Sequence, residues 1–105
     1  MKVEDHFIVR RIRESIRSVD PDARVILFGS RARGDAKQDS DWDVLILIDK
    51  QVTVDISRIF RYKLFDLELE TGEVFSTFVY NKKIWDSKHR VTPFYKSIKE
   101  EGVTL

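Results

Sequence analysis

The segment Asp41-Trp42-Asp43-Val44-Leu45-Ile46-Leu47-Ile48-Asp49 constrains the fold of this chain more than any other stretch. Its apolar run, Val44 to Ile48, shows no polar alternation, so it predicts a β-strand over 41–49 that is covered on both faces and central in its sheet. A central strand needs neighbours at its sides and layers above and below, and the flanking sequence supplies both. Arg24-Val25-Ile26-Leu27-Phe28 is too short for a helix and rich in β-branched residues, which predicts a buried strand ended by Gly29. Glu73 to Tyr80 is aromatic and β-branched and predicts a third strand, ended by Asn81-Lys82-Lys83. For the layers, Val3, Phe7, Ile8, Ile12, Ile16 and Val19 recur at helical spacing and predict a helix over 3–19, stopped by Asp20-Pro21-Asp22. Ile56, Ile59, Phe60, Leu64, Leu67 and Leu69 predict another over 53–70, stopped by Thr71-Gly72. Thr92-Pro93 reads as an N-cap followed by proline at the first helical position, opening a last helix through Glu100 that Gly102 closes. Trp85 to Arg90 reads as irregular, and Val103 to Leu105 as a tail or one more edge strand.

Strand, long helix and strand from Asp41 to Tyr80 imply a right-handed crossover between parallel neighbours. The first two strands are joined by a loop without such a helix and are free to pair antiparallel. The expectation is an α+β fold, a small mixed sheet flanked by helices. At 105 residues the chain is expected to form a single domain, 1–105, with one modest core and no room for a separate substrate-binding lobe. The absence of cysteine excludes disulfides, thiolate catalysis and cysteine-based zinc sites, and fits a reducing cytoplasm. The start of the chain is charged throughout, and no apolar run approaches the roughly 18 residues of a membrane helix, so neither secretion nor membrane insertion is expected. With 19 Lys and Arg against 18 Asp and Glu there is no bulk electrostatic case for nucleic-acid binding, and any anion site must be local.

The chemistry concentrates in residues 28–47. Gly29-Ser30 stands where one buried strand ends, and ten residues later Asp41-Trp42-Asp43 opens the next. Because strand side chains alternate, Asp41 and Asp43 share a face, about 7 Å apart along the backbone, while Trp42 points to the other. Two such carboxylates suit Mg²⁺, a hard cation commonly held by one or two carboxylates together with substrate phosphates, and a pair of ions would serve in-line phosphoryl displacement. Gly29 permits close backbone approach, Ser30 offers a hydroxyl and an N–H to a phosphate oxygen, and Arg31 and Arg33 carry forked donors matched to phosphate. Taken singly, Gly-Ser after a strand is usually a turn and Asp-x-Asp at a strand start usually a solubility device. Their conjunction across two buried strands is the signal, because same-face acids beside a central strand require a compensating charge.

This stretch resembles the polymerase β-like nucleotidyltransferases, and within them the minimal nucleotidyltransferase (MNT) group, whose signature is a Gly-Ser, about ten residues, and an Asp-x-Asp. Arg31, Arg33, Gly34 and Ser40 also look like that group. The resemblance implies the polymerase β-like fold, with Asp41 and Asp43 binding Mg²⁺ and Gly29 and Ser30 holding the triphosphate. It implies transfer of NMP from ATP or another NTP to an acceptor hydroxyl, with release of pyrophosphate. It also implies a small helical HEPN-type protein as partner, in a toxin–antitoxin pair. The group's third carboxylate, a metal ligand and base, usually lies on the strand after the long helix. Here the middle of that strand holds Ser76-Thr77, and its only acid is Glu73 at the start. Either Glu73 takes the role from a shifted register, or the site has two metal ligands and is weakened.

The remaining conspicuous residues favour plainer roles. His6 and His89 are isolated and read as surface residues; Trp42, Trp85, Phe94 and Tyr95 read as packing. A second function of a different class is a nucleotide-binding module that acts by docking on a helical partner without transfer. Template-directed nucleic-acid extension is the least favoured, since charge is balanced and no template lobe is expected. A chain nearly used up by one triphosphate site leads to the expectation that a second chain brings the acceptor, and it leaves a homo-oligomer open.

Overall fold

The computed structural model describes residues 3–105, with side chains from His6 onward. Met1, Lys2 and the side chain of Val3, which belong to the charged start and the first apolar stripe, lie outside the described part. Helix α1 runs Val3–Val19, followed by strand β1 (Arg24–Phe28), the single helical turn α2 (Ser30–Arg33) and strand β2 (Trp42–Ile48). Helix α3 (Val54–Thr71) crosses to strand β3 (Phe75–Asn81); then come α4 (Lys82–Ser87), a 3₁₀ turn (His89–Val91), α5 (Pro93–Glu101) and the short strand β4 (Val103–Thr104). The sheet order is β3-β2-β1-β4. β1 pairs antiparallel with β2 and β4, while β2 and β3 are parallel, as the crossover requires.

β2 is central and covered on both faces, as its sequence predicts: Val44 to Ile48 are all at most 1% exposed. Trp42, Val44, Ile46 and Ile48 pack with Ile8, Ile12 and Ile16 of α1 and Phe60, Leu64 and Leu67 of α3. Leu45 and Leu47 face the opposite way, against Ile26, Trp85, Tyr95 and Ile98. Burial of this many aliphatic side chains, each worth about 1.5–3 kcal/mol, is what holds the fold without covalent staples. Among the described residues no helix is long and apolar enough to cross a membrane.

Several boundaries and faces differ from expectation. Phe7 is 49% exposed, and on α3 Ile59 and Leu69 face solvent, so the buried stripe of α3 narrows to Phe60, Leu64 and Leu67. The reason is geometric: α3 meets both α1 and the sheet along one side, and residues 59 and 69 fall beyond it. β3 begins at Phe75 and not at Glu73, because Glu73 N–H donates to Thr71 Oγ1 in the turn that follows α3. Trp85 to Arg90, expected to be irregular, instead fall in α4 and the 3₁₀ turn, with Lys88 as the turn between them. Asn81 caps α4 by accepting a hydrogen bond from Ile84 N–H, and Trp85 anchors it at 3% exposure. His89 is not a surface residue but a half-buried one, with its ring 4.7 Å from that of Tyr80 and 5.6 Å from that of Trp85.

Candidate active site

Antiparallel pairing of β1 with β2 places Phe28 opposite Asp43, so the turn that leaves β1 and the acids that open β2 meet at one end of the sheet. Gly29 takes φ +75°, which turns the chain from strand into α2. Ala32 N–H and Arg33 N–H donate to Gly29 O at 3.1 and 3.0 Å, and Ser30 opens the turn with its hydroxyl unpartnered among the described residues. A Cβ built on Gly29 would collide with Asp43 Oδ2 and lie 3.1 Å from Asp43 Cγ. The glycine is therefore the space in which the Asp43 carboxylate sits.

Asp43 is half-buried, and among the described residues its carboxylate has no hydrogen-bond or ion-pair partner. Burial, then the negative charge of Asp41, push its carboxyl above the ordinary carboxylate value, and the charge of Arg33 partly opposes them. Asp41 is exposed and accepts a hydrogen bond from Ser76 Oγ at 3.2 Å. Ser76 lies beside Asp43 in the parallel register of β3 and β2. No group of three His, Asp or Glu side chains able to hold a metal ion occurs among the described residues. Two carboxylates with surplus negative charge, one of them half-buried and unpartnered, fit a divalent cation whose other ligands come from a bound phosphate or water. Asp41 and Asp43 would hold Mg²⁺ there, and the metal would supply neutralisation of triphosphate charge.

Glu73 is not brought to this pair. Its Oε2 accepts a hydrogen bond from Trp42 Nε1 at 3.2 Å and lies 3.6 Å from Arg31 Nη2. Trp42 points to the face opposite Asp43, so Glu73 stands on the far side of β2, where the turn before β3 delivers it. Arg31, expected at a phosphate, is bound into the same cluster with its side chain only 10% exposed. Its guanidinium lies 4.8 Å from the centre of the Trp42 ring and donates to Ser40 O at 3.0 Å and to Gln38 O at 3.3 Å. Arg31 thus ties α2 to the loop that leads into Asp41. Of the two arginines, Arg33 is the one left at the surface, held by Asp35 and Glu101 at 3.3 Å.

The sequence contained no direct signal for the Trp42–Glu73–Arg31 cluster, because its members are distant in the chain and meet only through the sheet. Ser76 was detectable by strand alternation as the mid-strand residue facing the acids.

Residues 9–105 match the family described as the nucleotidyltransferase domain. A proposed protein adenylyltransferase of Methanocaldococcus jannaschii is 32% identical over 84 residues, covering 78% of this chain and 76% of that protein. A second proposed protein adenylyltransferase of the same organism is 45% identical over 49 residues, covering 45% of this chain and 50% of its own length. Among solved structures, a chain from a crystal structure of a toxin–antitoxin with AMP-PNP matches with a TM-score of 0.67. The match has 17% identity and covers 90% of this chain and 69% of that one, a likeness of fold.

Proposed function

This chain belongs to the nucleotidyltransferase domain family, and from that premise we propose that it transfers AMP from ATP to a hydroxyl of a protein acceptor with the aid of Mg²⁺. The observation that carries the reading is the half-buried Asp43 carboxylate, unpartnered among the described residues, set against Gly29 and beside Asp41. In the transfer the acceptor oxygen bonds to the α-phosphorus, the bond from that phosphorus to the bridging oxygen breaks, and pyrophosphate leaves. Ser30 and Arg33 face the triphosphate, Gly29 lets it approach the backbone, and Asp41 and Asp43 hold the cation. The acceptor belongs to a small helical partner of the HEPN type in a toxin–antitoxin pair. A protein acceptor is supported by the names of the two adenylyltransferase relatives, and a toxin–antitoxin setting by the fold shared with the toxin–antitoxin chain, while the HEPN type is what the resemblance to the minimal nucleotidyltransferase group implies. The test incubates protein and partner with Mg²⁺ and ATP labelled at either the α- or the γ-phosphorus. Label is expected on the partner from the α-position only, with pyrophosphate released; transfer from the γ-position would indicate a phosphotransferase instead.

Glu73 serves as a positioning residue in this reading. Through Trp42 and Arg31 it steadies the contact between α2 and the loop entering Asp41, and it touches neither substrate nor metal. Glu73→Gln keeps an acceptor for Trp42 Nε1 and loses only the ion pair, so transfer should fall less than about tenfold, with the Mg²⁺ requirement unchanged. A loss as deep as that of Asp41→Asn, accompanied by weaker Mg²⁺ activation, would place Glu73 among the metal-binding acids.

A second reading, a module that binds nucleotide and acts by docking, is favoured by two features. Among the described residues the site gathers two acids where the resemblance implies three, and α3 presents Ile59, Tyr62, Phe65 and Leu69 to solvent. Under it, the partner would be neutralised equally by wild type and Asp41→Asn, and the partner's mass would not change.

A further inference from the structure

The face of the sheet that carries Asp43 also carries an aromatic cluster that neither the acids nor the phosphate turn uses. Phe28 is opposite Asp43 on β1, Ser76 is beside Asp43 on β3, and Phe78 lies two residues beyond Ser76 on the same face. Phe28, Phe78 and Phe94 of α5 form a closed triangle, with ring centroids 5.6, 5.4 and 5.7 Å apart in tilted and edge-on geometries. Farther along this face, Trp85 and Tyr95 are buried. At the end nearest the acids the covering stops: Phe28 and Phe94 are half-buried, and Phe78 is 36% exposed. The exposed part of this aromatic cluster therefore lies beside the acids, where a planar ligand group can stack on it.

We propose that this triad is the platform for the nucleobase of the bound nucleoside triphosphate, with Phe78 making the principal stacking contact. The proposal rests on the nucleotidyl-transfer reading only for the location of the phosphates. With the α-phosphate at Asp41 and Asp43, the step from Ser76 to Phe78 is roughly 7 Å along the strand, a span suited to the ribose between phosphate and base. The three phenylalanines offer no polar side-chain atom. Recognition is therefore by stacking, which tolerates any base but gains from ring area. The structure thus assigns a preference for purine over pyrimidine triphosphates, with little discrimination between adenine and guanine at these side chains.

The test measures binding of Mg²⁺-ATP and of Mg²⁺-tripolyphosphate by calorimetry, the second probe carrying phosphates without ribose or base. Phe78→Ala is expected to weaken ATP binding about 10- to 100-fold and leave tripolyphosphate binding unchanged. Phe78→Trp should bind ATP at least as tightly as wild type. Phe78→Leu, which keeps apolar contact with Phe28 and Phe94, should lie between and guard against a merely misfolded alanine variant. The wild-type advantage of ATP over CTP should shrink in the alanine variant. The proposal is overturned if ATP affinity is indifferent to residue 78, if both probes weaken alike, or if only the Michaelis constant for the acceptor rises. Failure of the transfer reading is separate: it would appear as no label transfer by a wild-type protein that still binds ATP through Phe78.

Discussion

Asp43→Asn is expected to abolish nucleotide transfer and at the same time to stabilise the metal-free protein. Loss of a carboxylate that holds the cation removes several kcal/mol of charge stabilisation from the transition state, a fall of about a thousandfold or more. The stability gain follows from the raised carboxyl of Asp43, which burial and Asp41 disfavour as an anion. A raised carboxyl means that the folded chain binds this proton more tightly than the unfolded chain does. Its contribution to stability is complete below the unfolded pKa and is lost as pH rises through the folded one. Asparagine cannot ionise and escapes that loss. In chelator-containing buffer the melting temperature of Asp43→Asn should therefore exceed that of wild type at neutral pH, and the gap should close as pH falls through the carboxylate range. Added Mg²⁺ should stabilise wild type more than the variant, since only wild type retains the complete carboxylate pair. A gap independent of pH, or transfer that persists, would remove Asp43 from the role assigned to it.

Gly29→Ala should be almost as damaging, by a different route. The alanine methyl would stand where Asp43 Oδ2 now lies, and it would do so at φ +75°, which side chains avoid. Either the carboxylate swings away or β1 and α2 separate, and a displacement near 1 Å at a reacting centre costs about a hundredfold. Gly34→Ala is the matched control. Its φ is +87°, but nothing lies within 4 Å of an added Cβ, so it carries backbone strain alone. Both variants should lose on the order of 1 kcal/mol of stability from the backbone. Only Gly29→Ala should also lose about two orders of magnitude in transfer, measured at saturating ATP. Equal activities in the two would mean that the space beside Asp43 is not critical.

Much of this architecture was legible in the sequence because its signals are local. The unbroken apolar run at Val44 to Ile48 marked the central strand, Thr92-Pro93 the start of α5, and the Gly-Ser and Asp-x-Asp the two segments that meet. Registers were not legible, and it is registers that decide the roles of Glu73 and Arg31. A shift of one position along β3 exchanges its faces, and the turn after α3 leaves Glu73 beside Trp42, while Ser76 comes to Asp41. Arg31 carries the same guanidinium as Arg33. Only the fold shows that one is committed to Trp42, Glu73 and Ser40 while the other stays at the surface. Helix α4 was missed because its signal, Asn81 as a cap, also reads as the end of a strand.

The antiparallel pairing of β1 and β2 has a consequence for how such a protein can diversify. Gly29, Ser30, Asp41 and Asp43 all lie on the stretch that leads from the end of β1 into β2, two strands that pair with each other, so the phosphate and metal roles proposed for them would be inherited as a single block. Phe78 and Phe94 come from β3 and α5, outside that block. Substitutions there can accumulate and redirect what is presented to the acids without disturbing the acids themselves. On the proposed roles, catalytic power and substrate choice would be separable traits in this chain.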